Sequence, residues 1–71
     1  MEKIIFYCPK KVTDKLKKRI ETGYPDDCLR IVKIEDHPKY SHISVFTVEY
    51  YHPNVLICLG EDKMLANMDM I

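Results

Sequence analysis

The sequence predicts a single small α/β domain of the α+β type, of order β-α-β-β-β. It expects a mostly antiparallel sheet with one helix packed on one face and room for a short C-terminal helix. Three observations carry this. The chain opens on an apolar run of isoleucines and aromatics, residues 3–8 (KIIFYC). A segment follows in which Val12, Leu16 and Ile20 recur every four residues. Residues 41–59 then hold two β-prone runs, SHISVFTVEYY and VLICL, separated by the turn residues His52, Pro53 and Asn54.

Taken in order, residues 3–8 read as a strand buried on both faces or lying mid-sheet, because the run is continuously apolar. Pro9 ends it. The four-residue spacing over 10–22 is that of an amphipathic helix, and Gly23 stands where such a helix stops. With three aliphatics in its stripe, this helix covers one face of something else. Residues 24–27 (YPDD) form a loop, since Pro25 disfavours the helical region for the residue before it. Residues 28–35 (CLRIVKIE) read as a second strand, and residues 36–40 (DHPKY) as a hairpin-length connection to a third strand over 41–51.

Alternation along the third strand puts His42, Ser44, Phe46, Val48 and Tyr50 on one face and Ile43, Val45, Thr47, Glu49 and Tyr51 on the other. Both faces carry apolar groups. The second strand behaves likewise, so part of the second face is expected to be covered, by the C-terminal segment or by another copy of the chain. The sequence reads residues 55–59 (VLICL) as a fourth strand ended by Gly60. In the tail, Met64, Met68 and Ile71 fall at i, i+4 and i+7, the spacing of a short amphipathic helix that docks on its own sheet or on a partner.

Length bounds the rest. A chain of 71 residues makes one domain, residues 1–71, and folding buries only about 60% of its extended surface. Domains of this size need a good core, a metal, disulfides or a partner subunit. Cys8, Cys28 and Cys58 make an odd number without a CxxC motif, which argues against a disulfide framework and for a reducing cytoplasm. The apolar run at the start is too short for a signal-peptide core, and no stretch approaches a membrane span. A soluble, cytoplasmic protein is expected.

Charge is balanced overall but not along the chain. Residues 1–34 carry nine Lys and Arg against five Asp and Glu, and residues 35–71 carry two against six. The basic centre is the helix, where Lys10, Lys11, Lys17 and Lys18 point to solvent if Val12, Leu16 and Ile20 face the sheet. Such a face solubilises a small domain, or it contacts an acidic protein surface or nucleic acid. A pI of about 6.8 lies well below that of a dedicated nucleic-acid binder.

Specific chemistry is sparse. The three histidines and three cysteines lack the close spacing of structural zinc sites, so neither a metal nor another cofactor is expected. His37, Lys39, Tyr40 and His42 sit within six residues around a hairpin tip, and a small ribonuclease could use such parts. No phosphate loop, nucleophile elbow or carboxylate pair accompanies them, and an enzyme is not the favoured reading. Tyr51 and the stripe of Met64, Met68 and Ile71 form a candidate partner-binding patch, since Tyr and Met are adaptable interface residues. The expectation is a non-enzymatic binding or regulatory protein that self-associates, with a homodimer as the simplest form, or acts as an inhibitor by occupying a larger partner's surface. The alternative is a nucleic-acid-binding or RNA-processing domain using the basic helix and the His37/His42 loop.

Overall fold

In the computed structural model, strand β1 (Glu2–Pro9) leads through a 3-10 turn (Lys10–Val12) into helix α1 (Thr13–Gly23). Strands β2 (Leu29–Asp36) and β3 (Ile43–Tyr50) follow, and helix α2 (Asn54–Met68) comes last. The structure describes the backbone of residues 1–68 and the side chains of residues 1–61. The α+β class, the antiparallel sheet and the helix laid over it are as the sequence predicts. The sheet order is β1-β3-β2, with β3 antiparallel to both neighbours. β1 and β2 are therefore parallel but separated by β3, the arrangement of a split β-α-β unit.

The expected fourth strand is absent among the described residues: 55–59 belong to α2. A short apolar run fits a strand or a buried helix equally by periodicity, and here the segment joins the helical tail into one element. Val55, Leu56 and Leu59 face the core while Ile57, Cys58 and Gly60 are exposed, which is a helical and not an alternating pattern. The N–H groups of Val55 and Leu56 donate to His52 O and Pro53 O at 3.0 Å, so the predicted turn is real but starts a helix.

The core lies on one face of the sheet. Phe6 and Cys8 from β1, Phe46 and Val48 from β3 and Leu29 from β2 meet Val12, Leu16, Ile20 and Leu59 from the helical layer. Phe6 and Phe46 are opposed across the strands and stack with centroids 5.1 Å apart. The contact of α2 with α1, and Leu59 in the shared core, put both helices on this face.

A bulge explains the poor alternation of β2. Its pairing with β3 shifts between Ile31 and Lys33, so Val32 is the extra residue. Leu29 and Ile31 face the core before the bulge, and Ile34 packs against it afterwards, although 31 and 34 have opposite parity. The stop of α1 also differs in cause from the expectation. No glycine has positive φ; instead Tyr24 adopts an extended conformation ahead of Pro25, and its N–H donates to Ile20 O at 3.2 Å.

Candidate functional site: the bare face of the sheet

With both helices on one side, the described residues leave the other face of the sheet uncovered. The register assembles it row by row: Tyr7, Val45 and Glu35 in one row, Ile5, Thr47 and Lys33 in the next, then Lys3, Glu49 and Arg30. The rows are polarised. Along β1 the face is apolar, with Ile5 and Tyr7 each 57% exposed. Along β2 it is charged, and its charges are internally matched. Arg30 Nη2 donates to Glu49 Oε1 at 3.0 Å, and Lys33 Nζ lies 3.4 Å from Glu35 Oε1. On the central strand Val45 and Thr47 are buried.

The first strand is thus an edge strand and not one buried on both faces. Its run reads as continuous because one face of it, Ile4, Phe6 and Cys8, belongs to the core, whereas the other, Ile5 and Tyr7, is an exposed apolar strip. The sequence carried that alternation, masked by the apolar character of both sets.

At one end of this strip the β2–β3 connection folds over to form an aromatic cluster. Tyr7 and His37 have ring centroids 5.6 Å apart, His37 and Tyr40 5.0 Å, and Tyr40 and His42 6.1 Å. Lys39 Nζ stands 5.7 Å from the Tyr40 centroid. Tyr7, His37, Tyr40 and Ile43 line a shallow hollow of about 350 Å³. The loop holds this shape because the backbone N–H groups of Lys39 and Tyr40 donate to His37 Nδ1, at 3.0 and 3.1 Å. That geometry assigns the ring proton to Nε2 and occupies the nitrogen that a general base would use. The loop grouping seen in the sequence is real, but His37 serves as a turn acceptor.

A second hollow, of about 370 Å³, lies between the start of α1 and the end of β2. In it the Thr13 and Ser44 hydroxyls are 2.6 Å apart, and Lys10 Nζ pairs with Asp36 Oδ1 at 3.0 Å. No imidazole or thiol is among the residues lining it, so the hydroxyl pair is a tie between helix and sheet. Among the described residues no group of three His, Cys, Asp or Glu side chains converges as a metal site would, and no helix is long and apolar enough to cross a membrane. Cys8 is buried, Cys28 half-buried and Cys58 exposed, and none of the three is in a disulfide.

The remaining sequence candidates are scattered. Tyr51 is 67% exposed where β3 gives way to α2, its N–H donating to Cys28 O at 3.1 Å. Met64 and Met68 fall within α2 but beyond the described side chains, and Ile71 lies outside the described residues. Lys11, Lys17 and Lys18 are exposed on the helical layer, and Lys10 is held by Asp36. Because Val12, Leu16 and Ile20 of the helical layer face the core, the sheet stands between Lys17 and Lys18 and the aromatic cluster. Lys10, at the start of the basic segment, instead adjoins the histidine loop: its N–H donates to His42 O at 2.8 Å and its ammonium pairs with Asp36, next to His37. A comparison with protein-family models, curated proteins and solved structures finds no match, so the functional reading rests on this geometry.

Proposed function

We infer that this chain is a small non-enzymatic binding protein that self-associates and engages other proteins through the apolar, β1 side of its bare sheet face. One observation carries the reading: Ile5, Tyr7 and Tyr40, 57%, 57% and 47% exposed, are gathered on one side of a face whose other side is charged and internally paired. Contiguous exposed apolar surface of this kind on a small domain marks an interaction site. Tyrosines suit such a site because the ring is apolar and the hydroxyl tolerates water. Occupying a surface of a larger partner, as an inhibitor does, requires no further machinery. Tyr51 offers a second contact point at the far end of β3.

Sedimentation equilibrium of the purified chain tests the proposal. The expected result is reversible self-association that Ile5→Asp weakens by about tenfold or more, because a charge must then be desolvated at the contact. A monomer at every concentration overturns the self-association. The basic helix supports a separate reading, nucleic-acid binding. Affinity for single-stranded RNA that falls steeply with salt and is lost on reversing Lys17 and Lys18 would favour it over the protein-contact reading.

A further inference from the structure

β3 is the central strand, so β1 and β2 are both edges, and they are built differently. The β2 edge is bulged at Val32 and carries Arg30, Lys33 and Glu35. Bulges and charges are how sheets blunt an edge against pairing. β1 runs against β3 over eight residues without a register shift, and between Lys3 and Pro9 it holds one charged side chain.

The phase of its backbone follows from one bond. Lys10 N–H donates to His42 O at 2.8 Å, in register with the β1–β3 pairing. In an antiparallel ladder, residues that exchange bonds with the partner alternate with residues whose N–H and C=O point away. Cys8, Phe6 and Ile4 therefore bond to β3, and Lys3, Ile5 and Tyr7 direct their N–H and C=O groups outward. Pro9, next in that phase, has no N–H.

We propose that this edge pairs antiparallel with β1 of a second copy of the chain, about a two-fold axis at Ile5, to form one continuous six-stranded sheet. The proposal rests on the self-association reading above and gives it a register. Only the axis at Ile5 partners every outward group of the three residues. Moving it to Phe6 sets Lys3 against Pro9, which has no donor; moving it to Ile4 sets Tyr7 against Met1, outside the strand.

Side chains agree with this register. On the bare face Ile5 meets its own copy and Lys3 meets Tyr7 of the second copy, an ammonium against an aromatic ring with no like charges opposed. On the core side Ile4 meets Phe6 of the second copy. The apolar halves of the two bare faces become one central band, and the charged β2 strips lie at its two outer borders. A second copy supplies this match because the pattern of the edge is symmetric about Ile5.

The test is amide-resolved hydrogen exchange of the full chain at low and high concentration. The amides of Lys3, Ile5 and Tyr7 exchange freely when dilute and become protected by about a hundredfold when concentrated, whereas those of Phe6 and Cys8 are protected at both. Ile5→Pro removes one outward N–H without touching the β1–β3 ladder, a position at which an edge strand tolerates proline. It weakens self-association by about a hundredfold. If Ile5→Pro does not fold, the wild-type exchange pattern decides alone. Free exchange of the three amides under conditions where sedimentation shows a dimer overturns the edge pairing and leaves the self-association reading standing. A monomer throughout overturns both.

Discussion

The two faces of the sheet are made by the same three strands and have opposite fates. On one, Phe46 and Val48 are fully buried beneath Leu16, Ile20 and Leu59. On the other, Ile5 and Tyr7 stay more than half exposed although their neighbours in sequence, Ile4 and Phe6, belong to the core. A strand with two apolar faces is thus not evidence of two covering layers. In a chain of 71 residues the helical layer covers one face, and the described residues leave the other uncovered.

The comparison breaks most sharply at Phe46. Replacing it with Ala removes a fully buried ring stacked on Phe6 and costs about 3–5 kcal/mol, as chemical denaturation would read. For a domain this size that unfolds a large fraction of molecules. Leu59→Ala follows at about 2–4 kcal/mol, since Leu59 joins α2 to the core. Little change there would show that α2 does not pack as described.

On the bare face the effects on stability shrink. His37→Ala leaves the N–H groups of Lys39 and Tyr40 without their acceptor and costs about 1 kcal/mol. His37→Asn, whose short side chain bonds backbone N–H groups two and three residues on, restores most of it, and thermal melts of the pair distinguish a turn acceptor from a packing ring. Breaking the Arg30–Glu49 pair with Arg30→Ala costs at most about 1 kcal/mol, because Arg30 is more than half exposed. Tyr51→Asp should leave folding unchanged within about 0.5 kcal/mol and weaken association slightly, as sedimentation would show.

Where the sequence reading succeeded and where it failed follow the same physics. The stripe of Val12, Leu16 and Ile20 has one dominant period and its buried face is legible, whereas the alternation along β3 separates Ser44, Phe46 and Val48 from Val45 and Thr47 without telling which set meets the helices, since both are buried. In β2 the bulge at Val32 changes the phase midway, so no single period fits it. In residues 55–59 five consecutive apolar residues obey either period, and the deciding contact, Leu59 against the helix layer, is tertiary. Of the candidate site, the aromatic loop at His37 and Tyr40 was visible as a cluster of residue types. Its neighbour Tyr7 was not, because it comes from a strand some thirty residues away, and only the β1–β3 register brings them together.

The most direct measurement sets Phe46→Ala beside Tyr7→Ala, each followed by chemical denaturation at high dilution and by sedimentation at high concentration. Dilution matters because association itself adds to apparent stability. Phe46→Ala is expected to lower the free energy of unfolding by about 3–5 kcal/mol, whereas Tyr7→Ala lowers it by at most about 1 kcal/mol yet weakens association. Tyr7→Ala destabilising the dilute monomer as much as Phe46→Ala, with association unchanged, would contradict it.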